Sequence, residues 1–326
     1  MAALQIARGE DGEGAQILMS AISILPQGLR DRLPGEAAAQ ARTVRALLDS
    51  IEGCGYDRVS PPLAEYEEGL AARLKSSPTD LARFVDPLSQ RTLAIRPDIT
   101  PQIARIVSTQ LAGVPRPLRL AYAGPVLKLG STQLDPQREA MQVGAELIGD
   151  DSVAAACEIT GIAVAALKAA GVTGVTVDLT LPDLVQTLAG LVMSSAEIAQ
   201  LDALLDMKDA GGLVEADFSD WLPLIAATGP VAPALEALRK FDHSGLMTSR
   251  IAGIETIAAS ILDAGVRVTL DPTERHGFEY HSWFGFSLFL AGGMNAVGRG
   301  GCYAITHSDG KDEPATGFSV YPDGFA

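Results

Sequence analysis

The chain has 326 residues, of which 47% are apolar and 20% charged, enough to bury a substantial core in one large domain or two smaller ones. Its formal charge of −15 and pI near 4.7, without a block of Lys and Arg that could track a phosphate backbone, weigh against nucleic acid as the main ligand. No apolar run reaches the roughly 18 to 20 residues that span a bilayer, because the most apolar stretch, 153–181, is interrupted by Glu158, Lys168 and Gly171.

The N-terminus carries Arg8, Glu10, Asp11 and Glu13 without a continuous apolar segment, so no secretory signal is expected and a cytoplasmic location is. Cys54, Cys157 and Cys302 are far apart and lack metal-ligand spacing, which fits buried thiols in a reducing compartment. Neither a metal nor a cofactor is expected. Residues 1–24 hold Gly9, Gly12 and Gly14, show no sustained periodicity, and read as a mobile lead-in.

From Pro34 to Ile51, Pro and Glu in the first turn and Val44, Leu47, Leu48 and Ile51 at helical spacing predict an amphipathic helix that stops at Gly53 and Gly55. A short strand over 56–60 ends at Pro61 and Pro62. Residues 92–95 read as a strand, and Thr100-Pro101 as the N-cap and first turn of a helix to about Leu111. Short strands are expected on either side of Gly124-Pro125. The run 138–148 alternates: Met141, Val143, Ala145 and Leu147 share one face, Arg138, Gln142 and Glu146 the other. That polar face either meets water or lines a site.

A helix over 158–170 and a strand over 172–181 follow. Helical patterning then dominates 183–265, which reads as a block of its own between the two parts of a core, 25–182 and 266–326. Strand character returns over 266–270 and 277–290, and Gly292, Gly293, Gly298, Gly300 and Gly301 are expected to break the last strands and let backbone approach something closely. Helix, antiparallel strands, helical insertion and antiparallel strands again is an α+β pattern.

Several segments, in order, resemble the catalytic core of histidyl-tRNA synthetase. Residues 26–36 (PQGLRDRLPGE), the long helix and 55–62 (GYDRVSPP) resemble the family's first motif, and 95–100 (IRPDIT) its LRPEGT element. Residues 122–128 (YAGPVLK) through 138–146 (REAMQVGAE) resemble the second motif, and 156–159 (ACEI) stand where the family writes DAEVI. Near the C-terminus 276–281 (HGFEYH) resemble the histidine-specific RGLDYY element, 300–303 (GGCY) resemble GGRYD, and 315–318 (ATGF) fall where the third motif begins. The resemblance covers roughly 26–182 and 266–320. It implies a class II synthetase-like antiparallel sheet flanked by helices, with a helical insertion.

The departures from that family bear on chemistry. Amino-acid activation needs cations on the α-phosphate of ATP, where negative charge builds in the transition state. Here the second-motif arginine position is Lys128, the charged residues that follow it become Gly130 and Ser131, and a second loop arginine falls on Pro136. The arginine of the histidine-specific element falls on His276, with Arg275 beside it, and none stands in 319–322. Losing several such donors at about 3 kcal/mol each slows chemistry by many decades, so adenylation is not expected unless Arg275 or Arg299 serves instead. The chain also ends just past the third motif, where a synthetase continues into an anticodon-binding domain.

The amino-acid side of the pocket is better kept. By resemblance, Asp98 and Thr100 would hold the amino group of histidine, Gln142 its carboxylate region, and Glu146 with Tyr303 the imidazole; Tyr280 and His281 come from the histidine-specific element. Asp98 is one methylene shorter than the usual Glu, His281 replaces a Tyr, and Cys302 and Ala304 replace the Arg and Asp of GGRYD. A histidine pocket and a degenerate one both stay open.

A synthetase-like core without its activation residues is similar to the regulatory subunits of ATP phosphoribosyltransferase. That resemblance implies a non-catalytic chain required for activity of a short-form catalytic subunit and for feedback inhibition by L-histidine. It also implies a homodimer through the first-motif helix, within a hetero-octamer of four regulatory and four catalytic chains. The alternatives are a minimal histidyl-adenylate-forming enzyme and a stand-alone histidine sensor.

Overall fold

The computed structural model describes residues 25–71, 81–129, 137–190, 192–262, 264–275, 277, 280–293 and 295–325. The expected lead-in, residues 1–24, lies outside that set. Helix α1 (Pro34–Glu52) starts on Pro34, whose fixed φ suits a first turn, and buries Leu47, Leu48 and Ile51. After it come β1 (Asp57–Arg58), β2 (Ala64–Tyr66), α2 (Glu67–Ala71), β3 (Ala82–Val85), β4 (Thr92–Ile95) and α3 (Thr100–Thr109). Strands β5 (Leu118–Leu127) and β6 (Glu139–Ile148) pair antiparallel along their whole length and lead to α4 (Val153–Ala169), capped by the Ser152 hydroxyl accepting from Ala155 N–H.

Two expectations change here. The strands read on either side of Gly124-Pro125 are one strand, because Pro125 lies beyond the stretch of β5 that β1 covers, where a missing N–H breaks no ladder. Thr100 is not an N-cap. It opens α3 itself, and the Asp98 carboxylate accepts from its backbone N–H at 3.0 Å, leaving the Thr100 hydroxyl for other contacts.

After β7 (Thr176–Thr180) the chain forms α5 (Leu184–Ala189), α6 (Ser195–Asp206), α7 (Ala210–Glu215), α8 (Leu222–Ala226), the two-residue β8 (Gly229–Pro230), α9 (Val231–Phe241) and α10 (Thr248–Leu262). Strands β9 (Arg267–Leu270), β10 (His281–Phe289), β11 (Gly298–Thr306) and β12 (Asp312–Val320) complete it. The main sheet runs β1-β5-β6-β12-β11-β10-β7-β9-β8. Its centre, β5 to β7, is antiparallel as the resemblance implies, and parallel pairs β1–β5 and β7–β9 flank it. A parallel pair needs a long crossover, and the helices between β7 and β9 supply one.

One face of this sheet packs on α1, α4 and the helices after β7. Leu201, Leu205, Leu238 and Ile254 belong to the same apolar cluster as Val143, Leu147 and Phe286. The other face packs on α3 through Ile103, Val107, Leu120 and Ile148. Gly298, Gly300 and Gly301, expected to break strands, lie inside β11; a Cβ at Gly300 would stand 2.6 Å from the Phe286 ring, so these glycines make room for neighbours. A second sheet, β2-β4-β3, packs on α2, which lies against α3, and Glu65 of β2 accepts from Arg105 of α3. Arg96, at the end of β4, joins the two: it is buried and donates to the carbonyls of Pro61 and Pro125 and to Gln102 Oε1. Among the described residues no helix is long and apolar enough to cross a membrane.

Candidate ligand-binding cleft

The face of the sheet toward α3 opens into a cleft of about 940 Å³. Period-two alternation puts Gln142 and Glu146 of β6 on this face, and the register brings Gly317 of β12 opposite Glu146 and Ser319 opposite Gly144. Glu146 is 1% exposed. Its Oε1 accepts from Tyr122 at 3.0 Å and Thr100 at 3.3 Å, and its Oε2 from Tyr303 at 2.9 Å. Gln142 sits behind Asp98: its amide donates to Asp98 Oδ1 at 2.6 Å and Ser319 Oγ at 2.7 Å, while its oxygen accepts from Ile99 N–H at 2.9 Å. The turn before α3 is thereby fixed to the sheet, and Asp98 is held at the edge of the cleft.

Of the residues singled out from the sequence, Asp98, Thr100, Glu146, Tyr280, His281 and Tyr303 all line this one cleft. Gln142 does not line it; both ends of its amide are spent positioning Asp98 and the α3 turn. Tyr280 stacks on His281 with ring centroids 4.3 Å apart, and meets Tyr303 edge-on at 5.9 Å. Lys128 also lines the cleft, its Nζ 4.9 Å from the Tyr321 ring centre. Gly130, Pro136 and His276 lie outside the described residues. Arg275 points elsewhere, into an ion pair with Asp202 of α6, whereas Arg299 lines the cleft.

Sequence reasoning missed Tyr122, Ser319 and Tyr321. Two of these carried a signal: alternation along β5 puts Tyr122 on the Leu120 face, and along β12 it puts Ser319 on the Gly317 face.

Burial governs the protonation of the cleft. It pushes the Glu146 carboxyl up to about 8; the hydroxyls of Tyr303, Tyr122 and Thr100 oppose that shift and the Asp98 charge adds to it. Burial, then the charge of Arg299, drives His281 down to about 3, so its ring is neutral at physiological pH. Tyr122 and Tyr303 are held well above the usual phenol range, first by burial and then by the charge of Glu146. Near neutral pH the inner end is therefore a protonated acid among hydroxyls, a group that can donate a hydrogen bond or, on losing its proton, meet a cation or a ring N–H. The cleft combines this with a carboxylate, aromatic walls and cations, the composition of a site for a small zwitterion with a polar ring.

The family model of histidyl-tRNA synthetase matches residues 28–324. The ATP phosphoribosyltransferase regulatory subunit of Rhodospirillum centenum is 41% identical over 313 residues, 93% of this chain and 79% of that one. The chain belongs to the ATP phosphoribosyltransferase regulatory subunit family. In this family the solved protein from Bacillus halodurans, described as an ATP phosphoribosyltransferase regulatory subunit/histidyl-tRNA synthetase, is 26% identical with a TM-score of 0.79, over 92% of this chain and 81% of that one. The ATP phosphoribosyl transferase (HisG:HisZ) complex of Thermotoga maritima shares the fold, with a TM-score of 0.66 at 16% identity over 86% of this chain and 96% of the matched chain. The regulatory subunit fold accordingly accounts for the synthetase-like sheet, its flanking helices and the cleft between them.

Proposed function

We propose that this chain is a non-catalytic regulatory subunit of ATP phosphoribosyltransferase, acting in the first step of histidine biosynthesis in the cytoplasm. It activates a short-form catalytic subunit and carries feedback inhibition by L-histidine, which it binds in the cleft and does not activate. The carrying observation is the contrast within the cleft. Its amino-acid end holds Asp98, Thr100, Glu146 and Tyr303 in one hydrogen-bonded set, while a lysine occupies the second-motif arginine position and Arg275 is committed to Asp202. The naming of the relatives supports the role, and the Thermotoga maritima complex supports the partner.

Residues 183–265 act as an insertion within the core, and the subunit pairs with a second copy through α1 inside a hetero-octamer. The first six residues of α1, from Pro34 to Ala39, are exposed, which leaves that end of the helix available. Because coupling between sites is reciprocal, L-histidine that weakens substrate binding by the catalytic chain is itself weakened by those substrates.

The test mixes this chain with the short-form catalytic subunit and follows phosphoribosyl transfer. Transfer should rise on mixing and become inhibitable by L-histidine; an unchanged rate refutes the assignment. Histidine-dependent ATP–pyrophosphate exchange by the purified chain should be absent, and its presence would refute the non-catalytic reading.

A further inference from the structure

Lys208 stands where a glycine would be at ease. Helix α6 closes with Lys208 N–H donating to the Leu205 carbonyl and Asp209 N–H to that of Leu204, and Lys208 itself has a φ of +56°. Any side chain is disfavoured in that left-handed position, which helix ends commonly give to glycine. What holds the lysine there is at the far end of its side chain: Nζ donates to Asp271 Oδ1 at 2.8 Å and to Thr273 Oγ1 at 2.7 Å, and both partners are buried. The segment that receives it, 271–275, is bonded on its other side to β7. Asp271 N–H donates to the Leu179 carbonyl at 2.9 Å, and Thr180 Oγ1 to the Glu274 carbonyl at 2.7 Å. Thr180 in turn pairs with Gly285 of β10, and between Gly285 and His281 the register of β10 on β11 shifts. Such an irregularity is where a strand bends and re-aims its side chains. Beyond it His281 pairs with Tyr303, whose hydroxyl donates to Glu146 at the inner end of the cleft.

We propose that residues 271–275 are a lever between the cleft and the helical block: a ligand that settles His281 and Tyr303 tightens the α6–α7 corner, and slackening that corner loosens the start of β10. The proposal rests on the reading of the cleft as an amino-acid sensor and gives that sensor an output. Among the described residues, none of α6 or α7 lines the cleft, and Met207, next to Lys208, is exposed, so a change at the corner is presented on the surface. Two features favour a lever over passive packing. Apolar contact between α6 and the sheet does not require a lysine in a backbone position suited to glycine. The polar attachments also converge on one short segment from both sides, with Arg275 adding its N–H to Asp206 at 2.6 Å and its guanidinium to Asp202. Coupling of this kind is reciprocal, so whatever grips the corner changes affinity in the cleft by the same factor.

Hydrogen–deuterium exchange of the full chain tests the lever from both ends. Without ligand, Lys208→Met should speed amide exchange over residues 281–285 by at least about threefold more than in β5 and β6. Arg275→Gln, which opens the attachment to α6 and leaves Lys208 in place, should act in the same direction. With L-histidine as the probe, exchange in α6 and α7 of the unmodified chain should slow by at least about threefold, and Lys208→Met should remove that slowing. Acceleration in Lys208→Met that is absent from 281–285, or no greater there than in β5 and β6, overturns the lever without recourse to any ligand. Slowing by L-histidine that is confined to the cleft, or that reaches α6 and α7 equally in Lys208→Met, overturns the lever and leaves the sensor reading intact. No slowing anywhere in the unmodified chain overturns the sensor reading, and the lever loses its output with it.

Discussion

Gly317 lies directly beneath the carboxylate of Glu146: a Cβ there would stand 1.5 Å from Oε2 and 2.4 Å from Cδ. The buried acid can lie flat on β12 only because this position has no side chain. Gly317→Ala should therefore push Glu146 off Tyr303 and Tyr122, costing about 3 kcal/mol or more of stability and weakening ligand binding in the cleft. Gly161→Ala is the control. It lies on the exposed side of α4 with nothing within 4 Å of its Cβ position, and should stabilise by up to about 1 kcal/mol. Urea denaturation of both variants decides it; a Gly317→Ala chain as stable as the parent would show that Glu146 has another place to go.

Glu146 should also leave a mark on pH dependence. In the folded chain it keeps its proton up to about 8, whereas the unfolded carboxyl releases it near 4.5. Between these values the folded state binds the extra proton, so this group's contribution is full below about pH 4.5 and is lost as pH rises through 8. The slope is at most about 1.4 kcal/mol per pH unit. Asp178, Asp202 and Glu274 are raised as well, chiefly by burial, and tilt stability the same way. Comparing the parent with Glu146→Gln cancels them. Between pH 5.5 and 8.5 the parent should lose about 3 kcal/mol more than the variant, and parallel curves would show that Glu146 titrates normally.

The polar face of β6 was legible because a period of two separates Gln142 and Glu146 from Val143 and Leu147, and the structure aims that face at the cleft rather than at water. Arg299 was legible only as a stand-in for a lost arginine, and Ser319 was not legible as a site residue, since its place depends on β6 pairing with β12 across a gap of more than 160 residues. Gly301, expected to break its strand, lies within it and leaves room for His281, as Gly144 does for Tyr122 and Gly317 for Glu146. Thr100 looked like a cap because its sequence context is that of a cap; Asp98 takes that duty and frees the hydroxyl.

Residues 271–275 run from β9 to the cleft wall at Gly277 and Tyr280, and they are strapped to the helices after β7. Lys208 Nζ donates to Asp271 at 2.8 Å and to Thr273 at 2.7 Å, Asp206 accepts from Arg275 N–H at 2.6 Å, and the Arg275 guanidinium pairs with Asp202. Lys208→Met leaves Asp271, 8% exposed, without its cation. Discounted because the Lys208 side chain is itself 29% exposed, the loss should be about 2 kcal/mol. Arg239→Gln breaks a pair that is 46% and 59% exposed and should cost well under about 1 kcal/mol. If Lys208→Met costs no more than Arg239→Gln in denaturant titrations, the strap is ornamental and the cleft wall is held by its own packing.

Arg96 offers the sharpest separation of charge from geometry. Its guanidinium serves Pro61, Pro125 and Gln102 at 3.0, 2.9 and 3.1 Å, and lies over Gly124, where a Cβ would stand 2.0 Å from Nη2. These bonds join the small sheet, α3 and β5, and so fix the turn that presents Asp98 and Thr100. Arg96→Met leaves buried carbonyls without donors and should cost about 3 kcal/mol or more. Arg96→Lys keeps the charge, but a single ammonium cannot span acceptors on three segments, so it should recover less than about 1 kcal/mol of that loss. Ligand affinity should fall in both variants, because Asp98 loses its fixed position. Arg96→Lys matching the parent in both denaturation and calorimetry would mean that the turn needs only a nearby cation, and that Gln142 alone holds Asp98 in place.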